Sequence, residues 1–158
     1  MYWEPVVKTY GILVRDARVL WSLTLPAEGF LRLPALPAEQ HQELELVAAR
    51  PMEDGRMRLH LLLSTPSPLP PWLEPCDDLQ RTAPVAMVYL QGPHFGDRFG
   101  IAEAALVALA QDGVMPLVTA CTGASLHFAV HQASAAAARR ALSNVFVVPA
   151  NLNRPRSE

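Results

Sequence analysis

The spacing of apolar positions changes character halfway along the chain. In the first half the dominant period is two. "ELEL" and "RMRLHL" alternate polar and apolar residues, as strands with one buried face do. "PMEDG" lies between them, and its Asp54-Gly55 pair is a strong turn signal. Glu43 to Leu63 therefore reads as a β-hairpin. Upstream, "KTYGILV" and "ARVLWSLTL" are β-rich runs separated by "RDA", a short hairpin-like connection. The spaced prolines of "PAEGFLRLPALPAEQ" forbid a long helix.

In the second half the period lengthens to that of helices flanked by strands. "VAMVYL", Val85 to Leu90, is a β-rich run, and a glycine loop, "GPHFGDRFG", follows it. "IAEAALVALAQ" places Ile101, Ala105, Leu106 and Leu109 on one helical stripe, with Gly113 as its C-terminal cap. "VMPLVTA" and "ASLHFAV" read as two strands joined by the tight "CTG". "SAAAARRALSNV" is a second helix with Ser134 at its N-cap, and "VFVV" a last strand. Between the halves, "STPSPLPPWLEPCDD", Ser64 to Asp78, holds five prolines and excludes a regular strand.

The second half is thus β-loop-α-β-β-α-β. That order predicts a small α+β sandwich of ferredoxin-like kind, an antiparallel sheet with its helices on one face. The first half offers the strands of the same unit without good helices. Two tandem βαββαβ units result, the first degenerate: residues 1–80, residues 81–150, and a flexible tail at 151–158.

Composition narrows the function. The chain has 158 residues, 51% of them apolar, and a formal net charge of −2 with no block of like charges. Nucleic acid is not an expected partner. No apolar run reaches membrane-spanning length, and "MYWEPVVKTY" lacks the regions of a signal peptide. Cys76 and Cys121 have no CxxC spacing, which points to a reduced, cytoplasmic protein without a disulfide framework or a zinc site.

The glycine loop is not a phosphate cradle. It has neither G-x-G-x-x-G spacing nor G-K-[ST], and Asp97 would repel phosphate. An amino-acid carboxylate fits better, because a helix N-terminus exposes N–H groups and Gly96 and Gly100 allow close approach. Asp97 then accepts from an α-ammonium or caps the helix. His94 reads as a solvated loop residue and His127 as an outward strand residue. His41 and His60 are isolated. His127 and His131 lack an H-E-x-x-H context, so no metal is expected. Cys121 has no His and acidic pair to activate it and reads as a small buried or turn cysteine. No catalytic residue and no cofactor are expected.

"VYLQGPHFGDRFGIAEAALVALAQDGV" resembles an ACT domain, where a strand leads through a D-R-P-G loop into a helix; here the loop is Asp97-Arg98-Phe99-Gly100. "MPLVTACTGASLHFAV" looks like the paired strands that follow. The nearest pattern is the regulatory region of aspartokinases. "KTYGILVRDARVLWSLTL" and "ELELVAARPMEDGRMRLHLLL" are similar to the opening strands and hairpin of its first unit. The resemblance spans roughly residues 8 to 148. It also has departures. Phe99 stands for the loop proline, Met115 and Pro116 for the start of the second strand, and Cys121 and Gly123 for the Asp and His of a "SADSH" segment. The first unit has no D-R-P-G loop, and the kinase domain's Lys-Phe-Gly-Gly opening does not occur.

The resemblance implies a non-catalytic regulatory protein that binds a small amino acid of the lysine, threonine or diaminopimelate class between two units. The residues that carry over are Gly96, Asp97, Arg98, Gly100 and Ile101 of the loop, with Met115 and Pro116 of the strand. It also implies a homodimer and a kinase partner. The open alternative is a ligand-free oligomerisation or docking module for a partner enzyme.

Overall fold

The computed structural model describes residues 7–31, 44–64, 78–93, 95 and 99–148. Most of the proline-rich segment and the whole C-terminal tail lie outside these residues. Packing divides the chain into two compact units, Asp16–Val85 and a second made of Met1–Arg15 with Ala86–Glu158. The division does not follow a single cut near residue 80. Two strands, β2 (Gly11–Pro26) and β5 (Gln80–Gln91), each contribute residues to both units.

The unit Asp16–Val85 contains the later part of β2, α1 (Ala27–Leu31), β3 (Leu44–Pro51), β4 (Arg56–Leu63) and the start of β5. Its strand order is β3–β4–β2–β5. The expected hairpin is β3–β4, antiparallel, and Gly55 closes it with φ +79. The side chains of Asp54 and Arg56 brace the turn. β4 also pairs antiparallel with β2, in a register that sets Val19 opposite Leu63, Trp21 opposite Leu61 and Leu23 opposite Leu59. These six residues form the unit's buried cluster, so each cross-strand pair on the core face is apolar. The Arg81 guanidinium lies 5.8 Å from the Trp21 ring centre.

One expectation fails here. "KTYGILV" and "ARVLWSLTL" are not two strands joined by a turn. From Gly11 the chain runs on as a single strand to Pro26, and Ala17 absorbs the irregularity with φ 61. Arg18 holds the strand beyond it, donating from Nε and Nη2 to both carboxylate oxygens of Glu45 at 3.0 and 2.6 Å. A polar "RDA" mimics a turn, but a half-buried bidentate ion pair needs no reversal of the chain.

The second unit follows the predicted order. β5 leads to α2 (Ile101–Gln111), β6 (Val118–Thr122), β7 (Ser125–His131), a 3₁₀ turn (Gln132–Ser134), α3 (Ala135–Ser143) and β8 (Phe146–Val147). Its strands are ordered β2–β5–β7–β6. The place beside β5, which a fourth strand would take, is filled by the start of β2. β8 pairs in parallel with β1 (Val7–Lys8) instead. In both units the first strand lies between the third and the fourth place, and the second lies at the edge. The two units share this strand order.

The core of this unit forms where β5 and β7 face the helices. Ala86, Val88 and Leu90 meet Leu126, Phe128 and Val130 under Ile101, Ala105, Leu109, Ala138 and Leu142. On α2 the buried stripe is Ile101, Ala105, Ala108 and Leu109. Leu106, expected there, is 39% exposed. At 3.6 residues per turn it stands about 140° round the helix from Ile101, and Ala108 takes its place. Gly113 ends α2 with φ +70, its N–H donating to the Ala110 carbonyl at 3.0 Å. Ser134 does not cap α3 with its side chain, because it belongs to the preceding 3₁₀ turn.

Leu109→Ala is expected to cost about 2–5 kcal/mol in urea denaturation, since it empties a fully buried site. Leu106→Ala is expected to cost less than about 1 kcal/mol. Equal losses would show that the helix faces the core differently.

Candidate functional site

The candidate loop begins where β5 ends. The Gly92 N–H donates to the Ala124 carbonyl at 3.2 Å, which ties the exit of β5 to the β6–β7 turn. A Cβ on Gly92 would run into the Phe95 ring and come within 2.8 Å of the Lys8 carbonyl oxygen. This glycine is therefore demanded by packing. Phe95 is 7% exposed and rests against Phe146, ring centres 6.0 Å apart. The loop is thus anchored by an aromatic plug in the core. Gly96, Asp97 and Arg98, with His94, lie outside the described residues.

The chain returns at Phe99, which is fully exposed, and Gly100, which opens α2 with φ +81. The first turn of a helix has N–H groups without an intrahelical acceptor, and they carry partial positive charge. Ile101 offers only such a backbone group, because its side chain is 6% exposed and belongs to the core. Met115 is 77% exposed and Pro116 half-buried; both lie between the end of α2 and β6. Pro116 has a carbonyl but no N–H. The structure does not bring these two groups together within one chain. They flank an 11-residue helix, which is about 16 Å long.

A second cluster was not singled out from sequence. On the sheet face turned away from the helices, Tyr89 and His127 stack with ring centres 5.5 Å apart and planes 10° from parallel. Arg15 lies over the Tyr89 ring at 5.6 Å. His127 Nε2 is 2.9 Å from Ser125 Oγ, and Ser125 Oγ is 2.6 Å from Thr122 Oγ1. His127 Nδ1 is buried with no hydrogen-bond partner. His127 is therefore half-buried and stacked, not a simple outward residue. Burial, then the charge of Arg15, holds its imidazolium below the ordinary histidine value. The signal was period two, which sets Tyr89 and His127 on the non-core face of neighbouring strands. The interval between them in sequence hid it.

Cys121 is exposed and lies in the edge strand β6, not buried or in a turn. His60 bonds Ser22 through Nδ1 at 2.8 Å. His41 and Cys76 lie outside the described residues. Among the described residues no three His, Cys, Asp or Glu side chains are grouped to hold a metal, and no helix is long and apolar enough to cross a membrane.

These features define an α+β protein built from ferredoxin-like units of ACT type. No family model matches the chain, and no curated protein matches it by sequence. Solved structures share its fold. The regulatory subunit of aspartate kinase from Thermus thermophilus, in a ligand-free form, superposes with TM-score 0.68 at 15% identity, over 88% of this chain and 99% of that one. The corresponding subunit from Thermus flavus gives 0.67 at 16%, over 87% and 98%. Aspartate kinase from Clostridium acetobutylicum gives 0.69 at 14%, over 92% of this chain but 36% of the enzyme. The expected resemblance to an aspartokinase regulatory region is thus found in the fold.

Two outcomes follow from this geometry. Gly92→Ala is expected to lower stability by roughly 1–3 kcal/mol, read by urea denaturation, because the Lys8 backbone cannot retreat from the added methyl. Stability is also expected to fall as pH drops below 6.5, the ordinary histidine value. The unfolded chain then takes up a proton that folded His127 refuses. His60 is shifted in the same direction by burial, then by Arg58 and Arg50. Urea midpoints at about pH 7.5 and about pH 5.5 should therefore differ less in His127→Gln than in the parent chain. An equal drop in both would remove His127 from this account.

Proposed function

We propose that this chain is a non-catalytic regulatory protein of the cytoplasm, which senses a small amino acid through its ACT-type units as a homodimer. The observation that carries the reading is the match to aspartate kinase regulatory subunits along nearly the whole of both chains. The effector-binding residues in this reading are Gly96, Asp97, Arg98, Gly100 and Ile101, with Met115 and Pro116. Lysine, threonine and diaminopimelate are the first ligands to try, and a separate kinase is the partner. The carboxylate would meet the N–H groups that open α2. The distance from Gly100 to Met115 supports a site shared by two copies. A ligand that bridges them favours the assembled state by mass action.

A second reading is a docking module without ligand. Pro116, which removes a backbone donor, and Phe99, fully exposed where the ligand loop ends, favour it.

Calorimetry with each of the three amino acids decides between them. Sensing requires heat of binding, and a ligand at a hundred times its Kd should stabilise the fold by about 2.7 kcal/mol. Gly100→Val, which a φ of +81 disfavours, should abolish the heat while circular dichroism keeps the fold. No heat from any of them at millimolar concentration, with a kinase recovered by pull-down, would leave the docking module.

A further inference from the structure

We propose that His127 is a positioning residue for the exit of β5, and that proton uptake by its ring loosens that exit and weakens effector binding. The inference rests on the amino-acid-sensing reading and adds a regulation to it. Gly92 is the first residue after β5, and its N–H donates to the Ala124 carbonyl at 3.2 Å. Ala124 lies in the tight turn between β6 and β7, flanked by Thr122 and Ser125 as a directly opposed pair. A brace across that pair therefore holds Gly92, and with it the Phe95 ring that packs against Gly92.

Three side chains make the brace. Thr122 Oγ1 donates to the Ser125 carbonyl at 3.4 Å. With that proton spent, Ser125 Oγ donates in its 2.6 Å bond to Thr122 Oγ1 and accepts from His127 Nε2 at 2.9 Å. His127 Nε2 thus carries the one proton of a neutral ring, and Nδ1 is bare. The opposite direction would put an N–H at Nδ1, which is buried with no acceptor.

A second proton has to enter at that same Nδ1. The groups around the ring oppose it. β5 presents Tyr89, stacked on the imidazole, and β2 presents the Arg15 guanidinium over Tyr89. β6 presents Ala120, opposite His127, and Thr122, neither of them charged. On β7 itself His131 is exposed on the same face. Among the described residues no carboxylate bonds the ring, and the charge of Arg15 disfavours a second cation. A protonated ring escapes both the missing acceptor and Arg15 by swinging off Tyr89 into water. Ser125 then loses its donor, the turn loses its brace, and the Gly92–Ala124 bond loosens.

Nuclear magnetic resonance of the full chain tests this. At about pH 7.5 the ring-nitrogen shifts of His127 should report the Nε2–H tautomer; the Nδ1–H tautomer overturns the proposal. The same shifts locate the pH at which the ring takes up its proton. Between the two, protection of the Gly92 amide against exchange should fall at least about fivefold relative to Val88. His127→Gln keeps a side-chain N–H for Ser125 but takes up no proton, so Gly92 should stay protected throughout. Ser125→Ala cuts the relay and should expose Gly92 at both pH values. An unchanged ratio in the parent chain overturns the proposal, and so does an equal fall in His127→Gln. Any of the three amino acids that binds at the higher pH should bind at least about fivefold more weakly at the lower, and equal affinity also overturns it. Failure of the sensing reading looks different: Gly92 loses protection on schedule and no amino acid gives heat at either pH.

Discussion

The second unit depends on one constraint, the alternation of side chains across its two central strands. Ala86, Val88 and Leu90 on β5, and Leu126, Phe128 and Val130 on β7, all point to the helices. Shifting β5 by one residue would turn Ala86, Val88 and Leu90 away from the helices and Tyr89 toward them, and shifting β7 would do the same to Leu126, Phe128 and Val130 against Ser125 and His127. Every other placement follows. The buried face fixes where β5 ends, and the end of β5 fixes where the loop can start. The opposite face is left for the Arg15, Tyr89 and His127 stack.

Gly92 converts that constraint into a position for the loop. Its N–H reaches the β6–β7 turn, and its missing side chain admits the Phe95 ring. A plug at one end and a helix start at the other bracket the segment between Phe95 and Phe99. The role proposed for Gly96, Asp97 and Arg98 depends on those two ends.

The strands and helices were legible where one period dominated a whole element. α2 has the bounds its apolar spacing predicts, and the β3–β4 hairpin closes at Asp54-Gly55. Legibility failed where a distant contact overrode a local signal. Ala17 lies in a polar stretch that reads as a turn, yet the ion pair of Arg18 with Glu45, 27 residues away, belongs to a continuous strand. The unit division was hidden for the same reason, since pairing of β1 with β8 joins the two ends of the described chain. His127 read as outward because alternation tells only which face a residue takes. It does not tell whether a ring from the next strand covers it. For the candidate site, the sequence pointed both to the start of α2 and, in the 11 residues of IAEAALVALAQ, to the helix that separates Gly100 from Met115.

That separation has a second component in the sheet. The Gly92–Ala124 hydrogen bond places the exit of β5, and with it the approach to α2, at the end of β6 that holds Thr122. Met115 and Pro116 precede the opposite end of the same strand. Within one chain the two groups are therefore held apart by the length of β6 as well as by α2. In the sensing reading, the missing N–H of Pro116 takes one donor from the strand side, so the N–H groups that open α2 would carry more of the carboxylate's binding.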